Sequence, residues 1–205
     1  FKDEELNIAY CPERVIPGNT INELITNDRV IGGIDEKSIA MAQKLYSSFC
    51  KGKLIKTNAH TAELVKLSEN AYRDINIAFA NELSIICHEN NINERDLIEI
   101  ANHHPRVNIL QPGCGVGGHC IAIDPWFIVS TNPNQSRLIQ TARKTNIQKT
   151  HWCIENIKSY YYKLKKIMNR KPKIGCLGLT FKPNIDDIRE SPANLIAAKL
   201  LDSNI

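Results

Sequence analysis

TAELVKLSENAYRDINIAFANELSIICHE, residues 61–89, decides how this chain is built. It lies inside residues 53–104, a stretch without glycine or proline in a chain that has 10 and 9 of them, so the whole stretch is expected to be helical. Asn58 or Thr61 can cap a helix that runs to about Glu89. Some 30 residues at 1.5 Å rise make about 45 Å, longer than a small domain is wide. From Ala71 to Cys87 the helix is apolar almost all round, with Tyr72, Ile75, Phe79, Leu83 and Ile86 spread over its faces. Such a helix needs burial on more than one side, which points to a helical core shared between two subunits through residues 58–89. A second helix is expected from Glu94 to about His103, capped by Asn93, with Asp96 three residues after the cap and Pro105 stopping it. A third runs from about Ser136 to Met168. No internal repeat is present.

The flanks read differently. Asn7–Cys11 (NIAYC) has the look of a short buried strand, followed by a loop punctuated at Pro17-Gly18-Asn19. Lys173–Phe181 (KIGCLGLTF) also reads as a strand, and Ser191-Pro192 as an N-cap with proline opening a helix from Ala193 to about Leu201. One strand and one helix cannot bury each other's apolar faces without a further layer. The expectation is therefore an α/β chain with a mainly helical middle, cut from a larger protein that has more of an α/β domain at each end.

Composition excludes several classes. The chain has 205 residues, 42% hydrophobic and 23% charged, which is ordinary for globular proteins. Its 26 basic and 22 acidic residues leave a net charge of +4, with no concentrated basic footprint for nucleic acid. Apolar runs are short and interrupted, as by Asn76 between Ile75 and Ala80, so no membrane partner is expected. The seven cysteines (11, 50, 87, 114, 120, 153 and 176) are odd in number, with no C-x-x-C pair. That suits neither a disulfide framework nor a zinc site; a cytoplasmic chain without a metal is expected.

Chemistry concentrates in QPGCGVGGHCIAID, residues 111–124. Gly113, Gly115 and Gly118 satisfy G-x-G-x-x-G, but the dinucleotide fingerprint needs a strand directly before it and a helix opening at its last glycine. Here Pro112 precedes it and the helix signal comes only at Asp124-Pro125, so that reading is rejected. Four glycines in six residues do let backbone approach a ligand, ending on Cys120; taken in isolation, such a loop more often is a tight connection with a buried thiol. Lys66, Asn70 and Arg73 fall at i, i+4 and i+7, one helical face among apolar neighbours, which must be solvated, paired or turned to a polar ligand. Asp124 can be the N-cap of the helix opened by Pro125, and a cap can also touch a site. Glu13, beside Arg14 just past a strand end, stands where open α/β sheets bind ligands. His103 and His104 can cap carbonyls at a helix end, and His119 adjoins Cys120, where it could lower the thiol pKa.

Four strings, YCPERVIPGN (10–19), TAELVKLSENAYRDINIAFANE (61–82), HPRVNILQPGCGVGGHCIAIDPWF (104–127) and LGLTFKPNIDDIRESPA (177–193), together resemble the UDP-glucose/GDP-mannose dehydrogenase family, in order along nearly the whole chain. The resemblance implies the end of an NAD-binding Rossmann-type domain at 1–56, a central helical dimerisation and catalytic domain at 57–168, and the start of a UDP-binding α/β domain at 169–205. It implies NAD as cofactor and a UDP-sugar as substrate, its C6 hydroxyl oxidised in two steps to a carboxylate. On this pattern Cys120 is the nucleophile that forms a thiohemiacetal and then a thioester, and Lys66 and Asn70 steady the C6 oxygen. Asp124 handles water, with Glu13 assisting. Arg14, the Val15 backbone, Arg73, Gly117, Phe181 and Lys182 are implied substrate contacts. His104 and Arg106 would reach the neighbouring subunit's substrate, and Arg189 would approach the NAD phosphates. Arg14 and the strings HPRVN and DPWF favour an N-acetylated mannose over glucose or N-acetylglucosamine. Cys114 departs from the pattern, where proline is common. A binding or dimerisation module without redox turnover is the competing reading, and retention of Cys120, Lys66, Asn70 and Asp124 together argues against it.

Overall fold

The computed structural model describes residues 6–16, 18–182, 184 and 186–205. The expectations on residues 1–5, Pro17, Pro183 and Ile185 lie outside the described residues. The chain forms two compact units, 1–69 and 70–205, with the division inside one long helix.

The first unit is α/β. Its elements are β1 (Ala9–Tyr10), α1 (Thr20–Thr26), β2 (Arg29–Gly33), α2 (Glu36–Tyr46), β3 (Leu54–Asn58) and the opening turns of α3 (Ala59–Glu89). The sheet has the order β1-β2-β3, with β1 antiparallel to β2 and β3 parallel to it. Parallel neighbours require a crossover, which α2 supplies, entered through an Asp35 side chain that accepts the Ser38 N–H at 2.7 Å. All five residues of β2 are buried. Gly32 and Gly33 allow this: a Cβ on Gly33 would meet the Ile39 side chain at 2.6 Å, and one on Gly32 would strike Ala62 of α3. Two expectations change here. The N-terminal strand is only two residues long, and Tyr10 is 41% exposed, because β1 forms the sheet edge. Leu54–Asn58 is a strand, not the start of the helix; parallel pairing with β2 outweighs a sequence that lacks any helix breaker. Asn58 does cap α3, accepting the Thr61 N–H at 2.8 Å.

The second unit is helical. The remainder of α3 is followed by α4 (Glu94–Asn102), α5 (Asp124–Thr131), α6 (Arg137–Met168) and α7 (Pro192–Asp202). The caps foreseen at Asn93 and Ser191 form, through the Arg95 and Asn194 amides. Asp124 is not a cap: it is the first residue of α5, and its carboxylate serves another partner. Nor do residues 173–181 form a strand. Leu177 and Leu179 stay exposed there, since no described residue offers these backbone groups a ladder partner. Ile154 of α6 packs with Ile196 and Leu200 of α7, and Cys114, Cys153 and Ile157 close around them.

The contact between α3 and α6 is polar at its centre. Asp74, Asn81 and Ser84 of α3 are buried, as are Arg143, Asn146 and Lys149 of α6. Arg143 Nη1 donates to Asp74 Oδ1 at 2.5 Å, Asn81 Nδ2 to Asn146 Oδ1 at 2.8 Å, and Lys149 Nζ to Ser84 Oγ at 2.7 Å. The rest of α3 is not buried all round as its composition suggested, because Tyr72, Phe79 and Ile86, spaced by seven, are exposed at 69%, 54% and 50%. Among the described residues no helix is long and apolar enough to cross a membrane.

Ile31 is fully buried in β2, so Ile31→Ala is expected to cost about 2–5 kcal/mol, read from the urea midpoint. Lys149 Nζ donates to Ser84 Oγ at 2.7 Å and lies 4.1 Å from the Trp152 ring, and burial pushes its ammonium below the ordinary lysine value, with Glu94 pulling weakly the other way. The native state then binds fewer protons than the unfolded one as pH approaches that ordinary value, and stability rises with pH there. Lys149→Met is expected to flatten this slope in denaturation midpoints measured across alkaline pH.

Candidate active site

The expected site residues divide between the two units, and each group is described on its own. In the first, Glu13 and Arg14 lie on the irregular segment that follows β1. Arg14 Nη2 pairs with Glu69 at 2.8 Å and its Nη1 reaches the Asp28 carbonyl at 3.3 Å. Glu13 accepts the Arg14 amide at 2.7 Å and faces the buried Arg29 at 3.6 Å. Arg29 in turn lies over the Tyr46 ring at 4.8 Å. Glu13 thus has a guanidinium and an amide holding it at the strand end. Val15 follows on the same segment, half-buried, and Lys66 is half-buried on α3.

In the second unit the structure brings Asn70, Asp124 and Cys120 together. Asn70 is 4% exposed, and its Nδ2 donates to Asp124 Oδ2 at 2.6 Å. The Cys120 carbonyl accepts the Ile123 N–H at 3.1 Å and the Asp124 N–H at 2.8 Å, so the thiol-bearing residue forms the turn that starts α5. Asp124 therefore sits one turn from Cys120 with its carboxylate oriented by an amide donor. Pro125 fits the first turn because no N–H is needed there.

The glycine loop carries Cys120 to this place. No strand precedes Gly113 and no helix begins at Gly118, as the rejected fingerprint reading required. The loop is pressed against Phe181, Glu190 and Pro192. A Cβ on Gly117 would lie 2.6 Å from Phe181 Cβ and 2.8 Å from Pro192 Cδ. Gly118 has φ +83°, a Cβ on it would lie 2.8 Å from the Phe181 ring, and its N–H donates to the Arg189 carbonyl at 3.3 Å. The Arg189 guanidinium grips Asp187 through Nε at 2.9 Å and Nη2 at 2.6 Å, and holds the Asp187 carboxyl down at about 2, with His119 adding a weaker pull. The hydrogen bond to Asp187, and then its charge, raise Arg189 in return. Phe181, Gly117 and Arg189 thus gather around the loop that ends on Cys120, and Lys182 follows Phe181 directly.

Other expected residues stand apart from this group. His104 and Arg106 are exposed on the turn after α4, where the His104 imidazole accepts the Arg106 N–H at 3.3 Å; His103 occupies the C-cap position. Arg73 is exposed on α3. All seven cysteines are free, so Cys114 and Cys120 are not paired, and burial pushes the Cys114 thiol up. Among the described residues no cluster of three or more His, Cys, Asp or Glu could hold a metal. A cavity of about 440 Å³, lined by Val116, Trp126, Asn146, Thr150 and Pro192 among others, lies behind the loop, and none of the expected catalytic side chains lines it.

Sequence reading missed the residues that anchor the loops. Asn102 brackets Ile109 with two hydrogen bonds, 3.0 and 2.7 Å, closing the turn that bears His104 and Arg106. Asn81 accepts the Gly113 N–H at 2.8 Å. Its signal was available: Asp74 and Asn81 fall seven apart in an otherwise apolar run, the spacing of one helix face.

Comparison with known proteins agrees along the chain. Models of the UDP-glucose/GDP-mannose dehydrogenase family match in three parts: the NAD binding domain at residues 2–50, the central domain at 60–148 and the UDP binding domain at 175–205. A UDP-N-acetyl-D-mannosamine dehydrogenase of Campylobacter jejuni is 58% identical over 200 residues, covering 98% of this chain and 48% of that protein. An NDP-N-acetyl-D-galactosaminuronic acid dehydrogenase of Ralstonia nicotianae is 52% identical over 204 residues, 100% of this chain and 47% of that one. The solved UDP-D-ManNAc dehydrogenase of Pyrococcus horikoshii superimposes with a TM-score of 0.84 at 42% identity, covering 95% of this chain and 46% of its own. The chain spans about half the length of the relatives it matches. With three family models matched in order and the fold shared with a solved relative, the chain belongs to the UDP-glucose/GDP-mannose dehydrogenase family.

Proposed function

We propose that the chain supplies the nucleophile, oxygen-stabilising and water-handling residues of an NAD-dependent UDP-sugar 6-dehydrogenase, with UDP-N-acetyl-D-mannosamine as substrate. The observation that carries this is the Asn70–Asp124 hydrogen bond one turn from Cys120. The domain boundaries 1–56, 57–168 and 169–205 go with this reading.

Each residue has a task suited to its chemistry. The Cys120 thiolate adds to the C6 aldehyde produced by the first oxidation, giving a thiohemiacetal; loss of hydride from that carbon leaves a thioester. Asn70, nearly buried, offers amide hydrogens to the developing oxygen charge, and Lys66, one helical turn earlier on α3, adds a positive charge. Asp124 takes the proton of the water that cleaves the thioester, releasing the carboxylate and the Cys120 thiol; Glu13 assists. Arg14, Val15, Arg73, Gly117, Phe181 and Lys182 contact the nucleotide sugar, with His104 and Arg106 reaching across to the other subunit. NAD, when bound, would supply the hydride acceptor for each of the two oxidations. The residues present fit an anionic cofactor at one point: Asp187 occupies Nε and Nη2 of the exposed Arg189, and among the described residues Nη1 has no hydrogen-bond partner, which suits a phosphate oxygen.

The exposed stripe of Tyr72, Phe79 and Ile86 supports α3 as the contact of a homodimer, and seven free cysteines support a reducing cytoplasm. The C. jejuni relative supports an N-acetylmannosamine sugar, while the R. nicotianae relative makes an N-acetylgalactosamine-type sugar the comparison substrate.

NADH formation is the test, with UDP-N-acetylmannosamine, UDP-N-acetylgalactosamine, UDP-N-acetylglucosamine and UDP-glucose offered separately to the full-length protein. Two NADH per UDP-N-acetylmannosamine are expected, abolished in Cys120→Ala; undiminished turnover in that variant would sink the thioester route. Thermal shift by UDP-sugars without any NADH would instead favour the binding module. Asp124→Asn should slow steady turnover by about a hundredfold or more while leaving the first NADH burst, seen by rapid mixing. Phe79→Arg should shift the sedimentation coefficient toward the monomer.

A further inference from the structure

The glycine loop has to present Cys120 reproducibly, and glycine-rich backbone does not hold itself. The structure shows two side chains that hold its entry. Asn81, fully buried, accepts the Gly113 N–H at 2.8 Å, and Thr150 Oγ1 donates to the Cys114 carbonyl at 2.8 Å. One fixes an amide and the other a carbonyl, on adjacent residues and from two different helices, α3 and α6.

The orientation of Asn81 is set by a relay that starts at a charge. Asp74 Oδ1 accepts from Arg143 at 2.5 Å and from Asn146 Nδ2 at 2.8 Å, and the Asp74 carbonyl accepts from the same Nδ2 at 3.1 Å. A carboxylate and a carbonyl can only accept, so Asn146 must turn its Nδ2 to Asp74 and its Oδ1 to Asn81. Asn81 must then donate Nδ2 to Asn146, at 2.8 Å, which leaves its Oδ1 for Gly113. Neither amide can flip without setting oxygen against oxygen. Beside it, Ser84 Oγ donates to the Asn81 carbonyl at 2.7 Å and accepts from Lys149 at 2.7 Å, fixing the helix turn that bears Asn81.

We infer that Asn81 and Thr150 are positioning residues for Cys120: the Asp74–Asn146–Asn81 relay and the Thr150 hydroxyl fix the glycine loop at Gly113 and Cys114, and through it the presentation of the thiol. The inference rests on the reading of Cys120 as the nucleophile. Downstream the loop is held again by the Gly118 bond to Arg189 and by the Cys120 carbonyl at the start of α5, so its two ends are tied to different elements. Releasing the entry leaves only the exit tied, so the loop leading into Cys120 loses one of its two anchors and the thiol is aimed less reproducibly.

The test uses the full chain and reads Cys120 directly. Iodoacetamide alkylation rates are followed by peptide mass spectrometry at Cys120, at the exposed Cys176 and at the buried Cys87 in the same molecules. Asn81→Ala and the isosteric Thr150→Val are expected to change the Cys120 rate severalfold with Cys176 and Cys87 unaltered, and Thr150→Ser, which keeps the hydroxyl, to restore it. In turnover, kcat should fall by about tenfold to a hundredfold with KM within twofold, as displacing a reacting group by about an ångström does. An unchanged Cys120 rate in folded Thr150→Val and Asn81→Ala overturns the inference, as does a parallel rise at Cys87, which marks general loosening. Should Asn81→Ala not fold, Thr150→Val against Thr150→Ser decides alone. Alkylation needs no turnover, so a Cys120→Ala variant that still makes NADH would defeat the mechanism without deciding the placement of the loop.

Discussion

The Asp74 carboxylate, fully buried between α3 and α6, is the constraint on which the helical unit depends. Burial pushes its carboxyl up, and Arg143 and Asn146 offset only part of that rise. Breaking a buried charged pair by removing one partner costs about 3–5 kcal/mol, because the remaining charge stays in a poor dielectric. An apolar seam of equal area could slide by a turn. This one cannot, since Asp74 meets Arg143, Asn81 meets Asn146 and Ser84 meets Lys149, each pair one step further along both helices. The register of α3 against α6 is thereby fixed, and with it the points from which Asn81 and Thr150 reach the glycine loop.

From that register the proposed chemistry follows outward. The loop is held at its entry by two helices and along its length by the closeness of Phe181, Glu190 and Pro192, which only glycine at 117 and 118 permits. It delivers Cys120 to the start of α5, where its carbonyl takes the Asp124 amide and Asn70 takes the Asp124 carboxylate. Catalytic side chains are thus placed on a turn whose supports are rigid helices, the arrangement that limits wander of a nucleophile. In the first unit the corresponding constraint is β2, buried along its whole length, with glycines at its end that let α2 and α3 approach.

Much of the helical unit was legible in the sequence. The absence of glycine and proline marked α3 and α4, Asn58, Asn93 and Ser191 announced caps that form, and Pro125 and Pro192 opened helices where expected. The strings around Cys120, Lys66 and Arg189 carried the family. What was misread depended on partners distant in sequence. LIKTN at 54–58 has no feature that separates strand from helix until β2 lies beside it, and KIGCLGLTF at 173–181 has a strand's composition but no described neighbour to pair with. Asp124 looked like a cap because its spacing to Pro125 allows one; Asn70, 54 residues away, claims the carboxylate instead.

The sequence by itself determined the helices from α3 onward, the family and the identities of the chemical groups, because capping, periodicity and motif are local properties of neighbouring residues; α1 and α2 were not read from it. Tertiary structure alone decided that Asn70 orients Asp124, that Arg189 and Phe181 flank the glycine loop, and that Asn81 faces Gly113. Those are hydrogen bonds and contacts between residues 32 to 71 apart, whose geometry exists only once the helices have packed.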